Sequence, residues 1–289
     1  MSNFFNLLKT FIKTTELTSA EKKRSKHFYT IMGTAVVFLI MIPAGALVGI
    51  ITYALTLGVM TYGGATQGAE VILHIISILS VIFGINVIIN IFYFSNDIEN
   101  LIPLPLKPRE IVSAKFAYSL LSENIMEFIL ILGACVGFMS AKGFSLTGVI
   151  TSIIGILTVP IIPLAYCGII AVIFMYFTHS VKNRDFLNKI TGIGTAVLIV
   201  GALVALVSIS GFNPDAIVTS LASADNGFLN VMNFIFPHIP LMMDSISNES
   251  LYQLLLYLLA NVIFVAVFLF LASKMYIKGV SDINTTKSK

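Results

Sequence analysis

The chain has 289 residues, of which 57% are hydrophobic and only 11% charged, with a mean hydropathy of +0.96 and a net charge of +3. Soluble domains are about a quarter charged, so this composition excludes an ordinary water-soluble globular protein and points to a membrane protein. The small positive excess belongs to basic flanks of apolar runs and implies no nucleic-acid partner.

In chain order, residues 1–30 read as a cytoplasmic, interfacial leader. Within it, "NFFNLLKTFIKT" (3–14) sets Phe4, Leu7, Leu8 and Phe11 at helical spacing, with Asn6, Lys9 and Lys13 on the other face. That is the pattern of an amphipathic helix lying in the membrane interface; a frayed basic leader is the alternative. Glu21 to His27 form a charged hinge.

A membrane-crossing helix needs about 20 mostly apolar residues. Six runs qualify: 31–58, 71–95, 115–140, 146–178, 189–211 and 251–273. Backbone polar groups cannot go unpaired in lipid, and the runs are too long and uniform for barrel strands. The expected fold is therefore an all-α integral membrane protein whose six transmembrane helices occupy 31–273. The first run contains Ala44-Gly45-Ala46, which resembles a signal-peptide cleavage site. Its polar leader is too long for a signal peptide, however, and the apolar run continues to Gly58. The same run holds Pro43 and a Gly45-x-x-x-Gly49 pair, a spacing that permits close helix contact.

The fourth run, at 33 residues, would extend about 50 Å as one helix, against a hydrocarbon core of about 30 Å. Pro160 and Pro163 predict a kink or break inside it. Cys135 and Cys167 fall within apolar runs and read as small buried thiols, with no disulfide, metal or catalytic role.

Sixteen of the 17 Lys and Arg residues flank the runs on one side, leaving only Lys142 on the other. The positive-inside rule makes the basic side cytoplasmic and both termini internal, with 274–289 a basic cytoplasmic tail. Residues 212–250 are then extracytoplasmic. They contain no Lys or Arg, yet "FLNVMNFIFPHIPLMM" is strongly apolar. Short helices that dip into the outer leaflet or cap the bundle fit better than a solvated loop.

Motifs for catalysis are missing. The chain has no Gly-x-x-x-x-Gly-Lys-Ser/Thr, no His-Glu-x-x-His and no Gly-x-Ser-x-Gly, and its four histidines (27, 74, 179, 238) lie in different segments. No catalytic residue, metal site or cofactor is assigned to this chain. Polar residues inside the runs are more informative. Asn86 and Asn90 share one helical face in the second run, and Glu123 and Glu127 share one in the third. Because these runs are antiparallel about one loop, the two pairs come to similar depth. Intramembrane ionisable groups are costly and face a cavity or a partner. Two readings stand: a polar patch beside a conduit or helix seam, and a structural hydrogen-bonded knot.

The loop at 96–114 carries the remaining signal. Asn96-x-x-Glu99 forms a capping-box pattern that starts a short helix, Pro103 and Pro105 stop it, and Pro108 with Glu110 suits the first turn of the next. The result is stiff and shows Leu and Ile side chains, which suits either docking of a protein partner or a turn lying in the membrane.

Together these features resemble the permease subunits of type 2 ABC exporters. Those subunits have an interfacial N-terminal helix, six spans, a coupling helix between spans two and three, and short outer helices between spans five and six. The stretch "FSNDIENLIPLPLKPREIVSAKF" (Phe94 to Phe116) is similar to the same point in a Firmicutes-type subfamily of ABC permeases. The resemblance implies a multi-pass protein of the bacterial cell membrane. A separate ABC ATPase subunit, carrying the ATP and Mg, would dock on Asp97, Glu99, Leu101, Pro103, Leu104, Pro105, Lys107, Pro108 and Arg109. Relatives in that subfamily often have a second membrane half, so this chain would be a half-size permease that forms a homodimer or joins a second half, or a shortened product. The rival reading is a non-transport polytopic membrane protein, such as a bacteriocin self-immunity or assembly factor. An intramembrane enzyme would need more convergent groups than Glu123 and Glu127.

Overall fold

The computed structural model describes residues 2–17, 25–92, 106–177, 193, 196, 214–223 and 226–287. Among the described residues the chain is helical, with no strand. In order the helices are α1 (Ser2–Leu17), α2 (Ser25–Thr61), α3 (Gln67–Phe92), α4 (Pro108–Lys142), α5 (Leu146–Thr158) and α6 (Ile161–Phe177). They are followed by α7 (Pro214–Ala222), α8 (Gly227–Ile235), α9 (His238–Asn248) and α10 (Leu251–Lys287).

Among the described residues four stretches are long and apolar enough to cross a membrane: Phe38–Thr61, Gln67–Phe92, Leu146–Ile173 and Leu251–Met275. A fifth is α4, taken as one span bent by 59° between Pro108–Ile125 and Glu127–Lys142. The described residues are thus all-helical apart from turns and connections, with four or five candidate spans among them. The run at 189–211 lies almost wholly outside the described residues.

α2 exposes Leu39, Ile40, Ile42, Leu47 and Ile50, as a lipid-facing helix does, and packs its opposite face on α4. The contact is closer than side chains allow. A Cβ on Gly133 would stand 2.1 Å from the Gly45 carbonyl oxygen, and one on Gly137 2.2 Å from that of Gly49. Gly45-x-x-x-Gly49 therefore meets a matching Gly133-x-x-x-Gly137, so the two backbones touch. In lipid, where no hydrophobic force drives helices together, such close packing supplies the association.

The fourth run breaks where its prolines predict. The run is interrupted by a turn at Val159 and Pro160, between α5 and α6, although Val159 keeps helical dihedrals. Pro160 and Pro163 have no N–H, so the Ile156 and Val159 carbonyls lose their partners four residues on. Nearby acceptors are satisfied from other helices. Leu157 O accepts from Asn124 Nδ2 at 2.9 Å, and Val159 O from His238 Nε2 at 3.2 Å. Thr158 Oγ1 bonds the Tyr257 hydroxyl.

The bend in α4 contains neither proline nor glycine. The Ser119 and Ser122 hydroxyls donate to the Lys115 and Tyr118 carbonyls just before it, a pattern that opens helices locally. The segment 212–250 contains α7, α8 and α9, which pack across α2, α3, α5 and α10 at the end opposite Lys107 and Arg109. Asn226 caps α8 by accepting from Leu229 N at 3.1 Å.

Two larger cores result. One, toward α7–α9, gathers Leu73, Ile131, Phe138, Ile162, Met242 and Tyr257. The other lies at the basic end and joins Leu7 and Phe11 of α1 to Phe92, Val112, Phe116, Leu164 and Phe268. The leader helix is therefore fastened to the bundle by its apolar face, while Phe5 and Ile12 remain exposed.

Candidate functional site: a buried polar file

The four intramembrane polar residues separate into two groups. Asn90 Nδ2 donates to the Asn86 carbonyl at 2.8 Å, along their own helix. Glu123 faces Gly84 instead, whose added Cβ would lie 3.9 Å from Glu123 Oε1 and 3.3 Å from Cys167 Sγ. At about 100° per residue, Asn86 lies some 200° around α3 from Gly84. Among the described residues no hydrogen bond joins the asparagines to the glutamates.

What α3 brings to the glutamates is a different set of residues. Thr66, Glu70, His74, Ser77 and Ser80 recur at three- and four-residue spacing and share one face. All five are buried, with His74, Ser77 and Ser80 wholly so. Thr66 Oγ1 donates to Glu70 Oε1. His74 Nε2 lies 2.7 Å from Asn233 Oδ1 of α8, which only accepts, so the nitrogen is the donor. Asn233 also borders Glu70, with Asp244 of α9 near the same carboxylate.

Ser80 borders Glu127 of α4. From there α4 continues the pattern with Glu123, Ser119 and Lys115, each four residues from the last and each buried. Ser119 donates to the Lys115 carbonyl at 2.9 Å, and Lys115 Nζ donates to Ile91 O at 2.7 Å, at the C-terminal end of α3. Cations are favoured at a helix C-terminus. The ammonium also lies 5.7 Å from the centre of the Phe11 ring, which ties α1 to the same point.

Among the described residues His74 Nδ1 and Ser77 Oγ have no hydrogen-bond partner, and Ser80 Oγ and the Glu127 carboxylate have only each other. Buried polar groups are nearly always satisfied, so such a concentration marks a site rather than packing. Among the described residues no group of three or more His, Cys, Asp or Glu is arranged to hold a metal ion.

A second histidine, His238, lies beside His74 in the same region, with Phe236 between them at 6.2 Å from each ring. Burial pushes His238 down to about 3, helped by His74 and opposed by its bond to the Val159 carbonyl. It is therefore neutral at physiological pH. Along the chain these two histidines are 164 residues apart and show no common pattern. The i, i+4 spacing of Thr66, Glu70 and His74 was the available signal for the file.

Of the loop residues, Lys107, Pro108 and Arg109 are described. Lys107 and Arg109 are exposed, Pro108 opens α4, and the Glu110 carboxylate accepts from Lys107 N at 3.1 Å. Asp97, Glu99, Leu101, Pro103, Leu104 and Pro105 lie outside the described residues.

These features define a membrane protein whose described residues form a helical bundle with a polar interior seam. No protein-family model, characterised protein or solved structure matches the chain.

Proposed function

We propose that this chain is the membrane-spanning permease subunit of an ATP-driven transporter in a bacterial cell membrane, working outward. Its ATPase is a separate subunit that docks on the loop from Asp97 to Arg109, and a second permease copy or half completes the conduit. The observation that carries the reading is the core at the basic end. Leu106, at the exit of that loop, packs into the same cluster as Leu7, Phe11, Phe92, Ile111 and Val112. A push on the loop is thus delivered to α1, α3 and α4 together. Proline-rich stiffness serves the same purpose, since a flexible loop would absorb the displacement. With no P-loop of its own, the chain needs another subunit to bind nucleotide.

Copurification with an ATP-binding subunit tests this. Leu104→Asp and Pro105→Gly are expected to lower both its recovery and the ATPase stimulation, with the permease itself still folded. Unchanged binding and unchanged stimulation in both variants would contradict the coupling role and favour a membrane protein with no transport function.

A further inference from the structure

We propose that the buried file is a proton path through the bundle, an activity separate from any ATPase coupling. Its members in order are Thr66 just before α3, Glu70, His74, Ser77 and Ser80 on α3, then Glu127, Glu123 and Ser119 on α4. Every member exchanges protons, and neighbours within each helix are three or four residues apart, where Cβ atoms lie about 5–6 Å from each other. The contour is about 21 Å along α3 and about 12 Å along α4 at 1.5 Å per residue, enough to cross a hydrocarbon core of about 30 Å.

A helix seam built only for packing would not concentrate carboxyl, imidazole and hydroxyl groups on two facing stripes. Nor would it leave His74 Nδ1 and Ser77 Oγ without protein partners and give Ser80 Oγ and the Glu127 carboxylate only each other. Those atoms are the acceptors and donors that bridging waters need, and chains of acidic and histidine side chains are how membrane proteins move protons.

The transfer balances at each residue. A carboxyl takes a proton on one oxygen and releases one from the other. An imidazole does so through its two nitrogens, and a hydroxyl by rotating. No bond other than O–H or N–H changes, and no oxidant or reductant is used. The titratable groups facing the file from other elements are Asp244 and His238 on α9, beside Glu70 and His74, and Cys167 on α6, beside the two glutamates. Lys115 stands one turn beyond Ser119, at the basic-end mouth.

Asn233 is the gate. Its amide accepts from His74 and borders Glu70, but an amide does not hand a proton on. In this arrangement the file is interrupted between Glu70 and His74, and displacement of α8 would join them. Asn233→Ser replaces the block with a hydroxyl, which relays.

The test is proton uptake by proteoliposomes of the full chain, enclosing a pH-sensitive dye, under a potassium diffusion potential. Asn233→Ser is expected to take up protons at least an order of magnitude faster than protein-free vesicles. Glu127→Gln in that background should return uptake to the protein-free rate. If the Glu127 variant fails to fold, Ser80→Ala in the same background replaces it and should slow uptake severalfold. The proposal is overturned if Asn233→Ser is no faster than protein-free vesicles, or if the added substitution leaves its rate unchanged. It is also overturned if uptake requires sodium, which would make the file a cation site. None of these outcomes depends on an ATPase partner.

Discussion

The His238 Nε2 nitrogen stands 3.2 Å from the Val159 carbonyl oxygen, and Pro163 is the reason that oxygen is free to accept it. In an unbroken helix the donor would be the backbone N–H of residue 163. His238 substitutes for it from α9, so the capping helices and the break in the fourth run form one unit. Leaving a buried carbonyl unsatisfied costs about 1–3 kcal/mol. His238→Ala should therefore lower the melting temperature in detergent, and Pro163→Ala should largely rescue it by restoring an N–H. Additive effects of the two substitutions would show that the bond is incidental.

The same histidine gives the protein an acid limit. Its folded-state value, pushed by burial to about 3, lies below the usual 6.5. The unfolded chain thus binds a proton that the folded one excludes throughout that window. Stability is complete above about pH 6.5 and falls as the pH drops toward 3, by on the order of 2 kcal/mol at pH 5. Thermal melts across this range should show the decline, and His238→Gln should lessen it. An equal decline in that variant would assign the acid sensitivity elsewhere.

The seam between α2 and α4 predicts a sharp contrast among glycines. Gly133→Ala and Gly137→Ala force a methyl into the Gly45 and Gly49 carbonyl oxygens, which cannot give way without parting the helices. Overpacking of this kind costs about 1–3 kcal/mol. Gly227→Ala meets nothing within 4 Å and should be nearly neutral. Melting temperatures of the three variants decide the matter, and equal values would mean that the seam does not govern stability.

Much of the fold was legible along the chain, because lipid imposes a one-dimensional code. Apolar length gave the helices, Pro160 and Pro163 gave the break, and the apolar face of 3–14 matches the side of α1 that Leu7 and Phe11 bury. Pairing between helices was less legible. Gly45-x-x-x-Gly49 was visible, but its partner Gly133-x-x-x-Gly137 could be chosen only by contact. Asn86 and Asn90 drew notice as strongly polar residues at the right depth, yet helical phase turns them away from Glu123. Serines and a threonine, common in membrane helices, hid the file that the glutamates complete. His74 and His238 meet only through the fold of 212–250 over the bundle.

The central claim is that an ATP-binding subunit grips this protein by the loop at its basic end. The most direct measurement places a photo-crosslinking amino acid at Leu104 and, separately, at Lys142 on the opposite end. Irradiation of membranes is followed by labelling with a photoreactive ATP analogue and mass spectrometry of the adduct. The account predicts that Leu104 captures a polypeptide that binds the analogue and contains a P-loop, and that Lys142 captures none. No nucleotide-binding adduct at Leu104, or the same adduct from both positions, would contradict it.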